Sequence, residues 1–246
     1  MPTPQDEDRP QEPTEPSAAG RGGYHHGDLR AALVDVAEAV IREHGPDAIS
    51  MRDLARRAGV TPSAAYRHFA GRDELVQQVT FRAQAASAAR MAARRRALPV
   101  DADGAAHLTA VGLGYIEYAR AEAGMFRAAF LEPEHLDLAR DPRSAGPGGL
   151  TPYQHLEDAL DRMVAEGSLP AALRHGAEAP AWAAVHGFSM LAVQGPFRAM
   201  PPAVLDALAA RTVAAAVHGV SVPPPAADPI VVTGVVLRDG AGRVLT

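Results

Sequence analysis

Cysteine and lysine are absent from this chain of 246 residues. The first absence excludes disulfides, cysteine zinc sites and thiol catalysis, and it fits a reducing cytoplasm. The second leaves all 24 basic side chains as Arg; beside so much Ala this reflects GC-rich coding DNA and carries no functional inference. Aromatic residues are few, at 5% with one Trp. No apolar run reads as a membrane span, and the acidic, Pro-rich opening residues offer no apolar stretch for a signal peptide, so a cytoplasmic protein without a membrane partner is expected. The sequence holds no His-Glu-x-x-His, Gly-x-Ser-x-Gly or phosphate-loop motif, so neither an enzyme nor a bound metal or cofactor is expected. What is present is ordinary for a globular chain: 47% apolar and 22% charged residues, enough for one or two domains with a sizeable core.

The net charge of −5 divides unevenly along the chain. Residues 1–20 carry one Arg and five acids, residues 97–246 ten Arg and sixteen acids, but residues 21–96 carry thirteen Arg and eight acids. A basic segment between two acidic ones is where a polyanion would bind.

Residues 1–22 read as a disordered tail. Asp28 then caps a helix with an apolar stripe through Leu29, Leu33, Val36, Ala37, Val40 and Ile41, ending near Gly45-Pro46. Ser50 opens a second helix, with Asp53 three residues on completing what resembles a capping box. Gly59 breaks it. A short helix begins at the N-cap Thr61 with Pro62 in the first position, and Gly71-Arg72-Asp73-Glu74 opens a long fourth helix to about Arg94. Two short helices joined by Gly59-Val60-Thr61 match a helix-turn-helix: Ala55 permits a close crossing, Gly59 the tight turn, and Val60 fills the elbow. The segment "VTPSAAYRHF" offers mainly Val60, Ala65 and Phe69 to a core, leaving its polar side for an external contact.

Beyond residue 100 the reading is all-helical. Leu108 to Phe130 forms a helical pattern bent near Gly124; residues 132–149 are loop; further helices run from Tyr153 to Glu166, Ala179 to Val193 and Val204 to Val217. Glu132, Glu134, His135 and Asp137 lie together but without metal-ligand spacing, and read as solvated loop.

"AISMRDLARRAGVTPSAAYRHFAGRDEL" resembles the DNA-binding signature of the tetracycline-repressor (TetR) family of bacterial transcription regulators nearly position by position. "AWAAVHGFSML", with Trp182, His186 and Gly187, resembles a subgroup with a Trp…His-Gly pattern in its C-terminal domain. The resemblance implies an all-α fold: a disordered tail at 1–22, a helix-turn-helix DNA-binding domain at 23–96, and a helical effector-binding and dimerisation domain at 97–222. A Pro-rich linker and hairpin-like tail follow at 223–246. It implies a homodimeric transcription repressor released from a double-stranded DNA operator by a small-molecule effector. Tyr66, His68 and Arg72 then hold the DNA backbone, and Arg52, Pro62, Ser63, Ala64 and Arg67 face base edges. Ser50 caps the second helix and touches a phosphate, and Thr61 caps the recognition helix. Arg67 has even odds of meeting phosphate instead of a base. Arg21 enters the minor groove, or Tyr24 and His25 pin the first helix.

Tyr115, Met125, Phe126, His155, Met163, Trp182, His186 and Met190 are candidates to line the effector pocket, each weighed against an ordinary place in the core or dimer interface. For His186, beside Gly187, a hydrogen bond across a close helix crossing is the favoured role. The last segment, "PIVVTGVVLRDGAGRVLT" at 229–246, alternates as a hairpin and resembles the first strands of a Nudix hydrolase domain, without the acidic helix that would hold Mg²⁺. The alternative function is therefore a regulator joined to nucleotide-hydrolase chemistry.

Overall fold

The computed structural model describes residues 26–131 and 133–223. Among them the helices are α1 (His26–His44), α2 (Met51–Arg57), α3 (Pro62–Tyr66), α4 (Arg72–Arg96), α5 (Gly104–Ala121), α6 (Ala123–Phe130), α7 (Pro133–Leu136), α8 (Pro152–Ala165), α9 (Glu178–Val193) and α10 (Pro202–Ser221). Short 3₁₀ turns lie between them, including Asp137–Arg140 and Pro142–Ser144. The all-α expectation holds for these residues. Arg21, Tyr24, His25, the 1–22 tail and the 229–246 hairpin lie outside them.

α4 is the longest helix and the shared wall of two packed regions. Its first half closes a small core with Leu33, Ala37 and Ile41 of α1, Leu54 and Ala55 of α2, and Ala65 and Phe69 around α3, through Leu75 and Val79, all essentially without solvent contact. Each large apolar side chain so buried stabilises the fold by about 1.5–3 kcal/mol, which holds a helix of only five residues in place that would not form alone. The second half of α4 packs on α5, α6 and α8, while α9 and α10 close the far side of α5.

Four local expectations need correction. Ser50 is extended and sits at the N-cap of α2, but its side chain makes no capping bond, and the Asp53 carboxylate pairs with Arg56 and Arg57 instead of returning to Ser50. The chain between α5 and α6 breaks at Glu122 rather than bending at Gly124. Glu122 pairs there with Arg42 of α1 at 2.8 Å, and Gly124 lies so close to the end of α1 that an added Cβ would fall inside the Ile41 carbonyl oxygen. Residues 132–149 are not simply loop: α7 and two 3₁₀ turns occupy 133–144, with Pro133 and Pro142 in the first positions of their elements. α10 is long and apolar enough to cross a membrane by length and composition, although no such run was expected, and only 22% of its most apolar window is buried. Its apolarity is spread over Ala and Val rather than concentrated in large side chains, and Asp206 and Arg211 interrupt it.

Candidate nucleic-acid interface and effector cavity

The turn between α2 and α3 is made by its backbone. Gly59 has φ of +70°, a left-handed conformation that side chains disfavour, and the Val60 amide then donates to the Ala55 carbonyl at 2.9 Å. Thr61 caps α3 by accepting from the Ala64 amide at 3.3 Å, with Pro62 in the first position. The exit of α3 is held as firmly. Arg30 of α1 lies over the Phe69 ring at 4.2 Å, donates to the His68 carbonyl and pairs with Glu74 at 3.2 Å. Glu74 in turn accepts from the Ala70 amide at 2.7 Å, which with Arg30 holds its carboxyl below the usual carboxylate range.

The candidate DNA-facing residues divide on this frame. Arg52, Thr61, Pro62, Ser63, Tyr66 and Arg67 are exposed along one side of α2 and α3, and Tyr66 keeps 54% of its surface open. His68 is half-buried. Ala64 is buried with Ala65 against the core, so it offers no edge to a base; helix periodicity turns it inward beside its neighbour. Arg72 is exposed, but its guanidinium donates to the Pro46 carbonyl at 2.8 Å and pairs with Asp73, so part of its hydrogen-bonding capacity is already used inside the protein.

A cavity of about 310 Å³ opens among α4, α5, α8, α9, α10 and the 137–140 turn. Its walls are apolar, with Met91, Leu108, Val111, Phe130, Leu156, Val185 and Val213 among them. Tyr115 and Trp182, two of the expected ligand residues, line it, and their polar atoms are mutually engaged. The Tyr115 hydroxyl lies 2.9 Å from His186 Nδ1 in a hydrogen bond, and a hydrogen bond with Trp182 acts on it as well. Burial pushes the Tyr115 hydroxyl up and the His186 imidazole down, so both stay neutral.

The other expected ligand residues sit elsewhere. Met125, Phe126 and Met163 are sealed in the core, with the Phe126 ring 5.6 Å from that of Tyr115. Met190 lies behind the wall beside Gln194, and His186 backs Tyr115 rather than lining the cavity. His155 belongs to a separate buried cluster, described below. Sequence reading missed the rim: Asp137, Arg140 and Tyr153 line the opening, with the Arg140 guanidinium 3.5 Å over the Tyr153 ring. The residue types alone carried no signal for this; it arises because the 137–140 turn folds back over α8.

That turn is tied to α4. Buried Gln84 donates through Nε2 to the His135 carbonyl at 2.7 Å and the Ala129 carbonyl at 3.1 Å, and its Oε1 lies 2.6 Å from the Ser144 hydroxyl. Thr80 and His135 both donate to the Ala128 carbonyl. His135 is thus a structural hydrogen-bond donor rather than part of a solvated loop. Among the described residues no group of His, Asp or Glu is arranged to hold a metal.

The His155 cluster sits at the C-terminal end of α4. Arg95 donates to His107 Nδ1 and His155 Nδ1, each at 3.1 Å, and pairs with Asp158. Burial first, and the Arg95 charge second, push His155 down to about 4 and depress His107. Both imidazoles therefore bind fewer protons folded than unfolded once pH falls below about 6.5, and stability declines from there down to about 4. His155 alone is expected to lose about 2 kcal/mol of folding stability between pH 7.5 and pH 5. Urea midpoints at the two pH values measure it, and a His155→Gln protein should show a flatter dependence; an unchanged midpoint in the original chain would remove the linkage.

Two family models match the chain. The one described as bacterial regulatory proteins, tetR family, covers residues 33–79, from α1 into α4 and including the whole turn. The one described as tetracyclin repressor-like, C-terminal domain, covers residues 108–219, from α5 to α10 and including the cavity walls. The chain belongs to the tetR family. A curated relative, the HTH-type transcriptional regulator BetI of Rhizobium meliloti, is 43% identical over 47 residues; the match spans 19% of this chain and 23% of that protein. A protein of unknown function from Rhodococcus sp. RHA1 has the same fold at TM-score 0.59 and 21% identity, covering 82% of this chain and all of the other. A TetR variant from Acinetobacter baumannii, solved in complex with minocycline, superposes at TM-score 0.52 and 17% identity over 77% of this chain and 94% of that one. In this tetR-family chain the first match ends within the N-terminal half of α4, which supports the turn, while the C-terminal half of α4, between the two matches, adds Met91 to the cavity wall.

Proposed function

We propose that the chain is a homodimeric, sequence-specific DNA-binding transcription regulator, acting as a repressor released from its operator by a small molecule. The observation that carries the reading is the exposed polar side of α2 and α3, with Arg52, Ser63, Tyr66 and Arg67, on a turn fixed by Gly59 and Thr61. Residues 23–96 bind DNA, and residues 97–222 bind the effector and dimerise. Tyr66, His68 and part of Arg72 contact phosphates, while Arg52, Ser63 and Arg67 reach into the major groove. The cavity beside Tyr115 and Trp182 receives the effector, and the complex of the A. baumannii relative with minocycline supports a ligand site in this fold. The Trp182, His186 and Gly187 pattern supports membership of the Trp…His-Gly subgroup, with Trp182 and His186 bracing Tyr115.

The test is operator selection from genomic fragments with purified protein, followed by substitution. Arg52→Ala is expected to relax base preference at one or two positions of each half-site, each worth about 1–3 kcal/mol of discrimination. Tyr66→Ala is expected to weaken all sequences alike. Equal binding by both variants and the original chain would remove α2 and α3 from the interface.

A further inference from the structure

Among the described residues Arg140 is the only cation lining the cavity, and it has no ion pair there. Thirteen of the described Arg side chains pair with a carboxylate, so an unpaired one at the mouth of an apolar cavity stands apart from most of its kind. Its guanidinium is positioned instead by stacking, 3.5 Å over Tyr153. One hydrogen bond goes to Tyr153 itself; a guanidinium has five N–H donors, and the remaining planar fork matches a carboxylate in two parallel hydrogen bonds. At the inner end, the polar atoms of Tyr115, Trp182 and His186 are engaged with one another. Asp137 also reaches the rim and is exposed like Arg140, but only Arg140 is stacked on a ring of the cavity wall.

From these features we infer that the cavity takes an amphipathic acid: an apolar body filling the space between Leu108 and Val213, and a carboxylate at the rim bound by Arg140. The inference rests on the cavity being the effector site. Desolvating a carboxylate is costly without a partner, and Arg140 supplies one where the cavity meets water. The acid would also touch the 137–140 turn, whose flanking residues His135 and Ser144 are bonded to Gln84 on α4, so binding and the DNA-facing end share one helix.

Trp182 is the single Trp of the chain and lines the cavity, so its fluorescence reports occupancy directly. The probes are decanoate, decanol and decylamine, titrated into the full-length dimer below their micelle-forming concentrations. Decanoate is expected to bind at least 10-fold more tightly than decanol, with decylamine weakest. Arg140→Gln should lower decanoate affinity to that of decanol and leave decanol unchanged, and Arg140→Lys should fall between. Equal affinity for decanoate and decanol, a preference for decylamine, or indifference to Arg140→Gln would overturn the assignment of an acid while leaving the cavity as a ligand site. No fluorescence change with any probe would overturn both the acid and the effector reading. Decanoate binding that leaves operator affinity unchanged would uphold the ligand class and count against release by effector.

Discussion

Ala214→Arg is expected to halve the mass of the particle measured by light scattering and to lower operator affinity at least 100-fold. α10 leaves Ala203, Ala207, Ala210 and Ala214 exposed at spacings of four, three and four, a continuous strip of small residues along one side of the helix. Leu191 and Val204 beside it keep 40% and 46% of their surface open. A helix this apolar with so little of it covered is unusual for a monomer, and the small side chains allow another helix to approach closely. A guanidinium in the centre of that strip would be buried without a carboxylate in the dimer, which is strongly unfavourable. DNA affinity falls with it, because a single α3 reads few base pairs and the second half-site is otherwise bound intramolecularly. Ala172→Arg, on an exposed turn away from α10, is the control and should change neither measurement. A dimer of full operator affinity in the Ala214→Arg protein would place the interface elsewhere.

Gly124→Val is expected to destabilise the fold by about 1–3 kcal/mol and to weaken operator binding beyond what lost stability explains. Gly124 lies in the first turn of α6 where it abuts the last carbonyls of α1, and a Cβ there would crowd the Ile41 and Arg42 carbonyl oxygens. These are backbone atoms and cannot rotate aside as a long side chain would. The Arg42–Glu122 and Arg127–Asp47 pairs cross the same junction and would be pulled apart with it. The measurements are a urea midpoint and operator affinity at a temperature where the variant is fully folded. Gly148→Val, where an added Cβ meets nothing, should leave both unchanged.

The helix-turn-helix was legible because every device that makes it is local. Gly59, Val60, Thr61 and Pro62 act within a few residues of themselves, and the structure shows the turn and the Thr61 cap they imply. Ser50 misled for the same local reason: a hydroxyl before a helix predicts a cap, but Asp53 had two Arg neighbours on its own helix to satisfy. The capping box that does exist, between Thr151 and Gln154 at the start of α8, carried a readable signal in Thr-Pro-Tyr-Gln and was overlooked. Tyr115 and Trp182 were identified by type, but type cannot separate a cavity wall from sealed core, and so Phe126, Met125 and Met163 came with them. The rim depends on where residues 137–140 fold back, fixed by Gln84 more than fifty residues earlier. No periodicity carries that information.

α4 is a single lever that reaches from the helix-turn-helix to the cavity wall. Its 25 residues run without interruption, and Met91, on the cavity wall, lies about 28 Å along the axis from Arg72, at the rise of a regular helix. A tilt of about 5° at Met91 therefore sweeps Arg72 through ~2.5 Å, large against the tolerance of a hydrogen bond to a base edge. In the proposed two-fold dimer such a tilt in both copies would double the displacement between the two copies of α3. A ligand that moved the C-terminal half of α4 slightly away from α5 would be enough for the pair in this proposed dimer to lose register with a duplex whose half-site spacing is fixed.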